Sequence, residues 1–137
     1  MDLDRFVTAQ EGVWERAVAE MRAGTKRTHW MWFIFPQIDG LSRSDMARHF
    51  AIRDLAEARA YLDHPLLGPR LRQCCEAMLE WSGERDAATI LAPIDAMKLR
   101  SSMTLFEAAS AGDGPYADVL NAFYKGKRDE RTLDLLT

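Results

Sequence analysis

His29-Trp30-Met31-Trp32-Phe33-Ile34-Phe35-Pro36-Gln37 is the stretch on which the reading of the fold turns. It holds two of the four tryptophans and two of the six phenylalanines of the chain. A short, continuous apolar run fits a buried strand or a buried helix, and periodicity alone does not separate them. Its surroundings favour a helix. No other segment reads as a partner strand, and Pro36 disfavours helix only from Phe35 onward, because the residue before a proline is pushed out of the α region. The stretch therefore predicts a short helix of two turns, with Thr28 as its cap. So much aromatic area in one place must be buried in the core, cover a ligand or meet a partner.

Outward from that stretch, nearly every segment carries helical periodicity. After an opening turn around Leu3 to Val7, the residues Val13, Trp14, Ala17, Val18 and Met21 share one face, with Glu11, Glu15, Arg16 and Glu20 on the other. That amphipathic helix ends at Gly24. Beyond the loop from Asp39 to Asp45, Ser44 or Asp45 caps a helix over Met46 to Ile52. Asp54 and Glu57 have capping-box spacing at the head of Leu55 to Leu62. Asp63-His64-Pro65 stops that helix and starts the next, whose apolar stripe runs from Leu67 through Leu71, Cys74, Cys75 and Met78 to Trp81. Asp86 caps a small helix to Leu91, and Pro93 opens a long one to about Ala109. The cluster from Ser110 to Pro115 is a break. Tyr116 to Tyr124 forms a helix ended by Gly126, and Asp129 starts a last amphipathic piece. The expected architecture is all-α, a compact single-domain bundle of residues 1–137 with about seven to nine mostly short helices.

The totals narrow the function classes. With 137 residues, 47% hydrophobic and 28% charged, the chain has the balance of one globular domain. A net charge of −3 argues against general nucleic-acid binding, which calls for a basic excess. The acidic start Met1-Asp2-Leu3-Asp4-Arg5 has no apolar signal-peptide core, and no apolar run is long enough to span a bilayer. A cytoplasmic protein with no membrane association is expected, as a monomer or weak homodimer. Cys74 and Cys75 are adjacent and read as reduced core residues.

The helix after Pro93 carries the most informative polar pattern. At about 100° of turn per residue, Asp95, Lys98 and Ser102 fall within about 60° of arc, in the middle of its apolar face. Arg100, Thr104 and Glu107 fall on the side expected to face solvent. Charged groups on an apolar face need partners, and Asp95 and Lys98, three apart, can satisfy each other. One reading is a buried pair that fixes helix packing. The other is a cleft lined by this stripe, with the aromatic stretch as its opposite wall, a common form of small-molecule site.

Several chemistries can be weighed at these residues. Lys98 with Ser101 or Ser102 has the spacing of a lysine-activated serine, but no nucleophile-elbow pattern accompanies it. His29 could act as a general acid or base, or simply bond to a nearby carbonyl. His49 and His64 add no metal-ligand spacing, so neither a metal site nor a cofactor is expected. Lys26-Arg27 before the tryptophans fits phosphate contact followed by stacking on a ring, or a solvated basic turn at a helix C-terminus.

The chain resembles a known family. The matching strings are Arg5-Phe6 with Ala9-Gln10, Gly24 through Gln37, Gly40-Leu41, Tyr61 through Gly68 with Arg70-Leu71, and Asp95 through Phe106, and near the end Gly126, Asp129 and Thr132-Leu133. They are similar to the bacterial domain of unknown function 1810 family, sometimes labelled calpastatin-like. The resemblance implies a compact, mostly α-helical domain and no established activity. Ile94 stands where relatives more often look glycine-like.

The leading expectation is a small polar or anionic, ring-containing ligand, bound by His29, Trp30, Trp32, Gln37, Asp95, Lys98, Ser101 and Ser102. One alternative is a protein-protein interaction module whose aromatic surface anchors a protein partner. Another is a small hydrolase or transferase using His29 or Lys98.

Overall fold

The computed structural model describes residues 2–137; Met1, which opens the acidic start, lies outside the described residues. Among these residues the chain forms ten α-helices and no strand. In order they are α1 Asp4–Gln10, α2 Trp14–Arg22, α3 Met31–Ile34, α4 Asp45–His49 and α5 Leu55–Asp63, then α6 Leu67–Leu79, α7 Ala87–Leu91, α8 Pro93–Ala109, α9 Tyr116–Tyr124 and α10 Glu130–Leu136. The all-α reading holds. The helix count exceeds the expected range because the opening turn lengthens into α1.

Helix starts follow local chemistry. Ser44, Asp54, Asp86 and Asp129 each accept the backbone N–H three residues ahead, at 3.1, 2.9, 2.7 and 3.0 Å. Glu57 does not close its box on Asp54; its carboxylate takes the Arg53 N–H at 3.0 Å and Arg5 at 2.9 Å. Pro65 does not open α6. The N-cap is Leu66, with no side-chain cap, and His64 Nδ1 accepts the N–H groups of Leu66 and Leu67 at 3.1 and 3.2 Å.

The aromatic stretch gives one helical turn, α3, rather than two. Its N-cap is Trp30, which has no side-chain cap bond. Pro36 and the chain behind it run extended to a single parallel bridge between Ile38 and Ile52. There the Asp39 N–H donates to Ile52 O and the Ile52 N–H to Gln37 O, both at 2.8 Å.

The core is organised around α8, which packs against α5, α7, α9 and α10. A line of rings crosses it from α1 to α9. Phe6 meets Tyr61 edge-on at 5.2 Å, Tyr61 meets Phe106 at 5.3 Å, and Phe106 meets Tyr116 at 6.0 Å. Residues Ser101 to Phe106 are all buried, so α8 has no solvent face along that length. This corrects the side assigned to Arg100, Thr104 and Glu107. Thr104 is fully buried and accepts the Asp129 N–H at 2.9 Å, Arg100 lies 3.7 Å from Asp129, and Glu107 binds Arg128. A helix covered on all sides has no single apolar arc to find.

Candidate ligand-binding groove

The loop between α2 and α3 is held by one carboxylate. Glu20, 8% exposed, accepts the N–H groups of Arg27 and Thr28 at 2.7 and 3.0 Å, the Thr28 hydroxyl at 2.7 Å and the Trp30 indole N–H at 3.0 Å. Burial pushes its pKa up, but these four hydrogen bonds outweigh burial and hold it at about 2. Thr28, expected as a cap of α3, is thus a donor to Glu20. The Lys26 N–H donates to Ile90 O at 2.7 Å, which ties the same loop to α7.

That anchoring brings the aromatic stretch to the head of α8. The Lys26 ammonium lies 3.0 Å from one oxygen of Asp95, and Lys98 lies 3.2 Å from the other. Lys26 also sits 5.1 Å from the centre of the Trp30 ring and Lys98 3.9 Å from that of Trp32. The result is a row of five groups, Trp30, Lys26, Asp95, Lys98 and Trp32. One carboxylate serves two ammoniums, and an indole backs each ammonium.

Beyond Lys98 lies an open groove of about 300 Å³. Trp32, Gln37 and Leu41 form one wall. Ile94, Met97, Lys98 and Ser101 of α8 form the other, and Arg131 of α10 closes one end. Four of the expected site residues, Trp32, Gln37, Lys98 and Ser101, therefore line one space. Four do not. Trp30 is 1% exposed and faces the core, His29 is exposed outside the groove, and Asp95 sits behind Lys98. Ser102 is fully buried.

Ile94 and Met97, apolar residues that flank Asp95 and Lys98 on α8, are not part of the core. They stand 71% and 66% exposed, because the first turns of α8 project past the packed helices. Lys26, Met97 and Arg131 were missed as groove residues or supports. Lys26 had a signal, its position before the tryptophans. Arg131 had none, since the docking of α10 against α8 is a tertiary fact.

Neither serine is joined to Lys98. Among the described residues the Lys98 ammonium donates to Asp95, and the Ser101 hydroxyl turns back onto Met97 O at 3.2 Å. The Ser102 hydroxyl is buried with no partner among the described residues. Such a group carries its desolvation cost without return. Ser102→Ala is therefore expected to leave stability unchanged or raise it by up to about 1 kcal/mol in urea unfolding. A loss larger than that would mean that the hydroxyl holds a bound partner. No cluster of three His, Cys, Asp or Glu among the described residues could hold a metal ion, and no helix is long and apolar enough to cross a membrane.

Residues 1–136 match the family described as protein of unknown function, DUF1810. The chain belongs to the DUF1810 family. Like this DUF1810 chain in fold is the crystal structure of the conserved hypothetical protein Rv1873 from Mycobacterium tuberculosis. The two are 47% identical with a TM-score of 0.94, over 98% of this chain and 96% of that one. No curated protein matches the chain. Membership in DUF1810 thus assigns a fold and no activity, and function has to be argued from the groove itself.

Proposed function

We propose that the groove binds a small anionic ligand that carries a flat ring. The observation that supports it best is the charge on the Lys26–Asp95–Lys98 row, where two ammoniums share one carboxylate. One positive charge is left over at the groove wall, on Lys98. Arg131 adds another at the end of the groove, with no ion-pair partner among the described residues. Asp129 also lines the groove, but Arg100 offsets it from 3.7 Å and its other oxygen caps α10. The ligand's ring lies against Met97 and the edge of Trp32, an adaptable thioether beside a rigid aromatic. Its anionic group meets Lys98 and Arg131, with Gln37 available for neutral hydrogen bonds. The protein acts in the cytoplasm, as a monomer or weak homodimer.

Calorimetric titration with adenosine monophosphate, salicylate, adenosine and inorganic phosphate tests this reading. At least one ring-bearing anion is expected to bind at least about tenfold more tightly than neutral adenosine or phosphate alone. Lys98→Met should remove that preference while moving the thermal midpoint little, since a partly exposed pair contributes about 1 kcal/mol or less. If neither ring-bearing anion binds more tightly than adenosine and phosphate, or if Lys98→Met leaves binding unchanged, the proposal fails.

A second reading is favoured by the exposure of Ile94 and Met97, two large apolar side chains on the groove rim. It makes the groove a docking face for a protein. Under it, Ile94→Glu combined with Met97→Glu abolishes a protein interaction, and none of the small anions binds.

A further inference from the structure

A second hollow lies on another face, between α5, α6 and the turn from α8 to α9, with a volume of about 340 Å³. Arg59 and Asp63 of α5, Arg72 of α6 and Asp113 of the turn stand around it. None of these four charges makes an ion pair within 4.0 Å among the described residues. Tyr116 of α9 also lines the hollow, although it is only 2% exposed. Its ring packs on Phe106, and its hydroxyl makes no hydrogen bond among the described residues. The hydroxyl is not among the fully buried polar atoms that lack a partner, so it keeps contact with the open hollow, where a ligand can reach it.

The wall is shaped to keep that hydroxyl and a guanidinium together. Gly114 has φ +108°, and a Cβ there would come within 2.8 Å of Tyr116 Cε2 and 3.5 Å of Arg72 Nη2. Only glycine takes this backbone readily and leaves room for both side chains. Burial pushes the Tyr116 hydroxyl up to about 12, so it stays a donor at neutral pH, with Arg72 and Asp113 in electrostatic reach.

We propose that this hollow is a binding site for a zwitterion of amino-acid size. Two guanidiniums and the tyrosine hydroxyl receive its carboxylate, and Asp63 and Asp113 receive its ammonium. The four charges sum to zero. All four of these side chains are exposed and, among the described residues, unpaired, and a ligand with a single charge supplies a partner to only one pair of them. A zwitterion makes attractive pairs at both ends. This site is independent of the groove beside Trp32.

The test is calorimetric titration of the full chain with the twenty free L-amino acids. For each one that binds, the amine lacking its carboxylate and the N-acetyl form lacking its ammonium are titrated as well, and inorganic phosphate alone is run beside them. At least one amino acid is expected to bind in the millimolar range or tighter, and both truncated forms should lose at least about tenfold. Tyr116→Phe, which keeps the ring packing, should weaken binding by about tenfold, and Trp32→Phe should leave it unchanged. Should Tyr116→Phe lower the melting temperature, the exposed Arg72→Gln provides the same readout without touching the core. No binding by any amino acid, phosphate binding as tightly as the amino acids, or unchanged binding by both variants would overturn the proposal.

Discussion

Glu20→Ala is expected to destabilise the protein by about 4 kcal/mol, whereas Glu20→Gln should cost only about 1–2 kcal/mol. The carboxylate satisfies two backbone N–H groups, one hydroxyl and one indole N–H while itself nearly buried. Alanine leaves those donors with no acceptor in a site too closed for free exchange with water, at about 1–3 kcal/mol for each group left unpaired. Glutamine keeps an acceptor where Oε1 stands, and its amide can donate to the Thr28 hydroxyl. It gives up only the charge, and charge roughly doubles the strength of such bonds. Against a total stability of about 5–15 kcal/mol the alanine loss is large. At roughly 4 °C per kcal/mol it lowers the thermal midpoint by about 15 °C. The loop also carries Lys26 to Asp95, so the alanine variant should loosen the Lys98 wall of the groove. Equal melting of the alanine and glutamine variants would show that the carboxylate is no anchor.

The same carboxylate sets an acid limit. Its folded pKa is about 2 against an ordinary 4.5, so the unfolded chain binds the proton more readily. Stability from Glu20 is therefore complete above about pH 4.5 and is lost as the pH falls toward 2. Glu20→Gln removes the group that titrates. Its stability should be lower than that of the parent at pH 6, and the gap should close between pH 4.5 and 2. A gap that stays constant through that window would contradict the assignment.

Glu20 also marks the limit of what the sequence reveals. On the helical wheel of α2 it falls about 140° from Glu15, at the edge of the apolar stripe, and that position says nothing of what it binds. Its partners lie seven to ten residues downstream in a loop with no pattern of its own. The four caps Ser44, Asp54, Asp86 and Asp129 were legible because each acts on the backbone three residues ahead. The all-α architecture was legible for a similar reason, since every amphipathic stripe reports a helix that buries one face. α8 escaped that logic by being central. The wheel still paired Asp95 with Lys98, a contact within one turn, but it could not show that Lys26 completes the row. Nor could it separate Trp30 from Trp32. A single helical turn sends one indole into the core and leaves the other half-exposed, and only the packed structure decides which.

Gly68→Ala is the other substitution with a large expected effect, and its sign reverses what local propensity predicts. Gly68 lies in the first turn of α6 without a left-handed φ, so by helix propensity alone alanine should stabilise by up to about 1 kcal/mol. A Cβ there would stand 2.1 Å from the carbonyl oxygen of Leu62 and 3.0 Å from its carbonyl carbon. Those are backbone atoms in the last turn of α5, and no rotamer change can move them. The two helices would have to separate, opening the seam where Leu67 and Leu71 pack into the core. Overpacking of this kind costs about 3 kcal/mol or more. Gly83→Ala is the matched comparison. It has φ +79° and open space around its Cβ position, so it should cost only the left-handed backbone penalty of about 1–2 kcal/mol. Urea unfolding of the two variants should rank Gly68→Ala well below Gly83→Ala. A Gly68→Ala protein as stable as the parent would mean that α5 and α6 do not approach this closely. The helix pair that carries Arg59, Asp63 and Arg72 around the second hollow would then need a different arrangement.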